Sequence, residues 1–425
     1  MGMLKLQGAG SMPDTGILDR IARRFVLKTV GRFPVGQIVL SEPDGNRIVL
    51  GDGQPHAHLN IRDWRTYRMM FTGGALGAGE AYMEGLWDSE DLTAVVRFFS
   101  ANIEPMQALE SGAARLAAPL LGVLHTMNRN SVSGSRRNIA AHYDLGNDFF
   151  RLFLDETMMY SSAIYAREDM ALEEAAVHKL DVICRKLHLG PDNHLLEIGT
   201  GWGGLAVHAA RHYGCRVTTT TISAEQYTLA RQRVAEAGLS DRVTVLDQDY
   251  RVLEGRYDRI VSVEMIEAVG HQYLGEYFGK LDALLTDDGM LLLQAITIPD
   301  QRYRYAIKHV DFIKRYIFPG GFLPSLRVMC DRIATRTRLV PVDVHDIGMD
   351  YARTLKDWRE RFSAARHEIE AQGFDDRFRR MWEYYFSYCE GAFLERAIST
   401  VQLVATGPGC RDVPARAALR GREGA

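Results

Sequence analysis

Downstream of residue 190, short apolar runs alternate with stretches whose apolar residues recur at helical spacing. Runs at residues 195–198, 216–220, 243–246, 259–263 and 290–293 predict buried strands, and the intervening stretches predict helices. Strand and helix in regular alternation predict a parallel, doubly wound α/β sheet. The first part of the chain reads differently. Residues 17–33 carry helical apolar spacing with several basic positions, predicting either a packed surface helix or a basic amphipathic face for anionic lipid. Residues 36–61 predict short strands, with Pro43-Asp-Gly45 and Gly51-Asp-Gly53 as turns. Residues 64–99 are helical in pattern, broken by Gly73-Gly-Ala-Leu-Gly-Ala-Gly79, which is expected to be a flexible loop. A further apolar helix is expected over 104–127. The polar stretch Asn128-Arg-Asn-Ser-Val-Ser-Gly-Ser-Arg-Arg137 then marks a domain boundary.

Domains are therefore expected at 1–130, a small α+β accessory domain, and at 138–405, the α/β domain. A Gly/Arg/Ala-rich tail over 407–425 is expected to be disordered. Composition adds exclusions. A net charge of −3 argues against a general nucleic-acid binder. No apolar run reaches the roughly 18 residues of a membrane span, and the first 15 residues lack a signal-peptide core, so a cytoplasmic protein is expected. Five scattered cysteines without a Cys-x-x-Cys pair suggest neither a disulfide framework nor a zinc site.

The chemistry begins at Leu195-Leu-Glu-Ile-Gly-Thr-Gly-Trp-Gly-Gly204. This is a strand running into a glycine turn, with Gly199, Gly201 and Gly203 letting main chain approach a ligand. Such a turn fits NAD, FAD or S-adenosylmethionine. At the next strand end a dinucleotide enzyme would place an acid for the ribose; Thr221 and Gln226 stand there instead. At the third, Asp249, Tyr250 and Arg251 offer hydrogen bonds and a ring for an adenine. At the fourth, Val263-Glu-Met-Ile-Glu-Ala-Val-Gly270 places two carboxylates, Glu264 and Glu267, after an apolar strand.

These features resemble class I methyltransferases, with their Rossmann-like doubly wound sheet. Ordered motifs over about 138–405 are similar to those of the cyclopropane-fatty-acyl-phospholipid synthase family: His142-Tyr-Asp-Leu-Gly-Asn-Asp-Phe-Phe150, Met159-Tyr-Ser-Ser162, Ile222-Ser-Ala-Glu-Gln226, Gln248-Asp-Tyr-Arg251 and Lys314-Arg-Tyr-Ile-Phe-Pro-Gly-Gly321. Gly79-Glu-Ala-Tyr-Met-Glu-Gly-Leu-Trp-Asp88 resembles the family's smaller N-terminal domain. The resemblance implies methyl transfer from S-adenosylmethionine to the cis double bond of an unsaturated phospholipid acyl chain, then proton loss to a bound bicarbonate and ring closure. It implies Tyr160 and Ser161 at the cofactor's methionine part. It also implies Glu267, Tyr316, Ser162 and Gln294 around the bicarbonate.

Two of those positions depart from the family pattern, since Ser162 replaces a frequent Cys and Gln294 a frequent His. Gln cannot shuttle a proton as His can, so the base site is expected to be altered. A methylene- or methyl-branched product and another small-molecule acceptor stay open. So does a homodimer. The lipid substrate implies a protein that visits the inner membrane face.

Overall fold

The computed structural model describes residues 16–106 and 145–411. The expected helix over 104–127, the boundary stretch, His142 and nearly all of the tail lie outside them. The chain divides into two units that are not colinear with it. One takes the N-terminal residues with Lys308–Ile317 and Trp358–Ala397. The other takes the residues from 145 to Ile307, Phe318–Asp357 and Ile398 onward.

The N-terminal unit carries a four-stranded sheet, ordered β2-β1-β3-β4, from β1 (Gly36–Ser41), β2 (Arg47–Asp52), β3 (His56–Ile61) and β4 (Trp87–Asp88). Strict alternation buries one face of it through Ile38, Leu40, Ile48, Leu50, Leu59 and Ile61. Around it stand α1 (Ile17–Val30), α2 (Arg65–Met83) and α3 (Leu92–Ala101), the last capped by Asp91, which accepts from the Ala94 amide at 2.9 Å.

The glycine-rich segment over 73–79 is not a loop. It continues α2 through a kink at Gly74, where φ is 55° and ψ −135°. Its glycines serve close packing: a Cβ at Gly77 would lie 2.0 Å from the Met69 carbonyl oxygen, and one at Gly79 would meet Phe312 and Tyr384 at 2.7 and 2.9 Å. Composition signalled flexibility, and packing inside the unit overrode it.

The second unit is built on a seven-stranded sheet ordered β10-β11-β9-β8-β5-β6-β7. Its first five strands are β5 (His194–Ile198), β6 (Arg216–Thr221), β7 (Val243–Asp247), β8 (Tyr257–Val263) and β9 (Leu285–Thr297), all mutually parallel. These match the five predicted runs. β10 (Val340–Asp346) and β11 (Ser399–Thr406) add an antiparallel edge that the sequence reading did not pick out.

Neighbouring residues on one strand serve opposite cores. Leu195, Val261 and Leu292 face one cluster, with α4 (Leu172–Lys186) and α5 (Gly204–Tyr213); Leu196, Ile260 and Leu291 face the other, with α6 (Leu274–Leu284) and α7 (Leu326–Arg336). Burial on both faces is why these strands read as continuous apolar runs. Strand order reverses between β5 and β8, from which β6 and β9 proceed in opposite directions. That switch point is where open α/β sheets bind ligands.

Candidate active site

The turn after β5 has the backbone its glycines predict. Gly199, Gly201 and Gly203 have φ of 99°, 52° and 87°, a region unfavourable for other residues. Gly203 then precedes α5, whose N-terminus has no side-chain cap. A Cβ on Gly203 would press to 3.2 Å on Ala230, whereas one on Gly201 would meet nothing within 4 Å. Gly203 is thus required by packing. At Gly201 the bare main chain borders open space, a candidate cradle for a ligand.

The segment preceding Ser162 packs beside this turn, where a Cβ at Gly204 would meet the Thr157 carbonyl oxygen and Met159. The Thr157 carbonyl accepts from Arg233 at 3.0 Å, and so does that of Trp202 at 3.3 Å, pinning this segment against the turn. Tyr160 packs on Phe150, Phe153 and Phe318 at ring separations of 5.4, 6.1 and 6.2 Å. Ser161 is buried and its hydroxyl accepts from Lys179 Nζ at 2.9 Å.

Lys179, on α4, is fully buried, and burial lowers its ammonium to about 8, against the opposing pull of Glu264, Asp155 and Glu197. The sequence reading missed it. Its signal was a lysine at an inward phase of α4, among Leu172, Ala175, Ala176, Leu180 and Ile183.

At the end of β6, the Thr221 hydroxyl donates to Gln226 Oε1 at 2.8 Å, and Ser223 caps the following helix by accepting from the Gln226 amide. Asp249 accepts from the Arg251 amide and guanidinium at 2.7–3.0 Å, fixing the turn that presents Tyr250. Asp249 is therefore tied to Arg251 while Tyr250 sits edge-on to Tyr277 at 5.4 Å. Glu197, on β5 itself, accepts from the Thr219 hydroxyl at 2.6 Å, and burial raises its carboxyl to about 8.

At the end of β8 the structure brings Glu264, Ser162 and Gln294 into one cluster. Glu264 Oε1 accepts from the Ser162 amide at 3.0 Å and Gln294 Nε2 at 2.8 Å; its Oε2 accepts from Tyr351 at 2.8 Å. Its own amide donates to the Gln294 carbonyl at 2.7 Å. Glu264 has φ of 49°, a left-handed conformation that costs on the order of 1–3 kcal/mol and that these bonds hold in place.

Gln294 is fully buried and its amide is spent: Nε2 also reaches the Ser162 carbonyl at 3.4 Å, and Oε1 accepts from Gln402 on β11 at 3.0 Å. The Ser162 hydroxyl donates to the Ala163 carbonyl at 2.8 Å. Neither residue presents an unused donor to an anion here.

Glu267, three residues on, is placed otherwise. Its Oε1 accepts from the Ile296 amide at 2.6 Å, while its Oε2 is buried with no partner among the described residues. Burial, reinforced by the neighbouring Glu264 charge, raises this carboxyl to about 8, so it is largely neutral at pH 7 and carries a proton to donate. Tyr316 belongs to the N-terminal unit, where its hydroxyl donates to Glu80 at 2.7 Å. Within the second unit, the only one of the four expected anion contacts with an unspent polar atom is Glu267.

Residues 130–403 match the family of mycolic acid cyclopropane synthetases. A tuberculostearic acid methyltransferase of Mycobacterium tuberculosis is 38% identical over 398 residues, covering 91% of this chain and 92% of its own. The cyclopropane-fatty-acyl-phospholipid synthase of Escherichia coli is 39% identical over 358 residues, 83% of this chain and 88% of its own. Among solved structures, the cyclopropane synthase MmaA2 of Mycobacterium tuberculosis superposes with a TM-score of 0.60 at 32% identity, over 64% of this chain and 98% of its own. The mycolic acid cyclopropane synthase CmaA1, solved with SAH and CTAB, gives the same TM-score at 31% identity over the same shares.

Proposed function

This chain belongs to the mycolic acid cyclopropane synthetase family of S-adenosylmethionine-dependent methyltransferases, and on that ground we propose that it methylates the cis double bond of an unsaturated phospholipid acyl chain and closes it to a cyclopropane. S-adenosylmethionine supplies an electrophilic methyl carbon when bound. The chain's own residues supply the rest. Gly201 gives the main chain close approach, Tyr160 and Ser161 line the methionine end, and Thr221, Gln226, Asp249 and Tyr250 line the nucleoside end. An alkene is a weak nucleophile, so alignment in a dry cavity carries much of the rate.

Methylation of the alkene leaves a cation that must lose a proton before the ring closes. The observation that carries the assignment of this step is the unpartnered, buried Oε2 of Glu267. In its neutral form Glu267 donates its own carboxyl proton in a hydrogen bond that would hold an anion, and the proton lost by the cation goes to the base. A bicarbonate ion, when bound, would supply the base. Ser162 and Gln294 serve at one remove, by fixing Glu264 and the β8 corner.

A second reading retains the same methyl transfer but loses a different proton, giving a methylene-branched chain or a methyl-branched chain that keeps a double bond. It is favoured by the 38% identity over 91% of this chain to a relative named for methyl transfer to a fatty acid. One experiment addresses both. Purified protein is incubated with S-adenosylmethionine and phospholipid vesicles bearing cis-unsaturated chains, and the lipids are analysed by mass spectrometry. A gain of one CH2 identifies methylene addition, and fragmentation separates the ring from its isomers, the branched chains that keep a double bond. No gain in mass would overturn the assignment.

A further inference from the structure

Helix α1 presents two faces that use its cations in opposite ways. Inward, Arg23 makes a bidentate pair with the buried Glu42 at 2.6 and 2.7 Å, and Asp19 pairs with Arg68 at 3.5 Å. Outward, Ile17, Leu18, Ile21 and Phe25 are exposed by 69, 66, 54 and 37%, an unusual run of large apolar side chains on one short helix. Ile17, Ile21 and Phe25 follow at i, i+4 and i+8 and form one row. Arg20, Arg24 and Lys28 follow at the same spacing and form the row beside it, all exposed and without an ion pair among the described residues. No acid interrupts this outer surface. The only carboxylate on the helix, Asp19, is buried on the other side.

An apolar row edged by unpaired cations matches the boundary of an anionic bilayer, where apolar side chains enter the acyl region and cations meet headgroup phosphates. No helix among the described residues is long and apolar enough to cross a membrane, so such a helix would lie on the surface. We propose that the outer face of α1 is a docking surface for anionic phospholipid membrane, and that this surface is how the protein reaches the lipid named in the proposed function. The inference rests on that reading for its purpose, though not for its test.

The test is sedimentation with vesicles of phosphatidylglycerol and phosphatidylcholine, against phosphatidylcholine alone, at low and high salt. The intact protein is expected to sediment with the anionic vesicles and to be released by salt. The triple charge reversal Arg20→Glu, Arg24→Glu, Lys28→Glu is expected to weaken binding at least about tenfold. Ile17→Asn with Ile21→Asn is expected to weaken it while leaving the salt dependence in place. All of these side chains are exposed, so melting temperature should hold.

Turnover of a short-chain unsaturated phospholipid dispersed below its micellar concentration should be unchanged in both variants. That arm separates a failed docking surface from a failed catalytic reading, because sedimentation reads the surface whether or not the lipid is methylated. Equal binding to neutral vesicles, or undiminished binding by the charge-reversed protein, would overturn the proposal. Light scattering that shows a dimer dissolved by the same charge reversal would overturn it too, by placing a second copy on this face.

Discussion

At the end of β5 the candidate binding surface is main chain, three glycines at positive φ with open space beside Gly201. At the end of β8, one strand over, it is side chain, and there the two carboxylates have opposite fates. Glu264 accepts three hydrogen bonds through its carboxylate, while Glu267 accepts one and keeps a buried oxygen unpaired. The difference separates shape from reactivity. A group whose bonds are all spent holds geometry, and a buried group with one unspent atom is where an incoming molecule can be met.

The largest expected effect breaks the β8 side of this comparison. Glu267→Ala removes the unpaired oxygen, and kcat is expected to fall by about 10²–10³-fold with the cofactor's dissociation constant unchanged. Calorimetric titration alongside steady-state rates measures both. Next comes the β5 side. Gly201→Ala places a Cβ in the cradle at a φ of 52°, with no protein atom in its way. Cofactor affinity should fall at least about tenfold while stability drops by only about 1 kcal/mol. A fall in stability without a fall in affinity would mean that the cradle holds no ligand.

Gln294→Ala sharpens the contrast between structural and reactive groups. It strips a hydrogen bond from Glu264 and leaves Gln402 unpaired, at an expected stability cost of about 1–3 kcal/mol by denaturant unfolding. Its rate loss should be smaller than that of Glu267→Ala. Gln294→His is expected to alter the rate or the pH profile only by disturbing Glu264. Smallest is Lys179→Met. Removing the ammonium leaves the carboxyls of Glu264, Asp155 and Glu197 without their buried cation, so melting temperature should fall, and loss of the donor to Ser161 should weaken cofactor binding severalfold.

The β5 side was legible in the sequence because positive φ demands glycine and a doubly buried strand demands an apolar run. Both requirements write themselves into local composition. The threonines of β6 were legible as a strand through their β-branched side chains. The β10–β11 edge was not. β10 is mostly exposed and reads as polar, and β11 is separated from its partner β9 by about a hundred residues.

The site residues divide along the same line. Glu267 could be singled out from its motif, yet nothing local distinguishes it from Glu264. That distinction is made by Ser162, Gln294 and Tyr351, which arrive from three remote segments. Ser162 and Gln294 were expected to touch an anion directly, and their engagement with Glu264 came from tertiary pairing that no spacing encodes. Lys179 was hidden because its partner, Ser161, precedes it on a separate segment.

The central claim is that Glu267 acts as a neutral hydrogen-bond donor to an anionic base, and the pH dependence of the wild type and of Glu267→Gln tests it most directly. Its carboxyl lies near 8, raised by burial, so the neutral form prevails below that pH and is lost above it. With bicarbonate concentration and lipid presentation held fixed, wild-type kcat should be level below about pH 8 and fall above it. Glu267→Gln, whose amide can still donate from the same position, should retain substantial activity without that fall. A wild-type rate that rises through pH 8, with Glu267→Gln inactive, would contradict the account and make Glu267 the base itself.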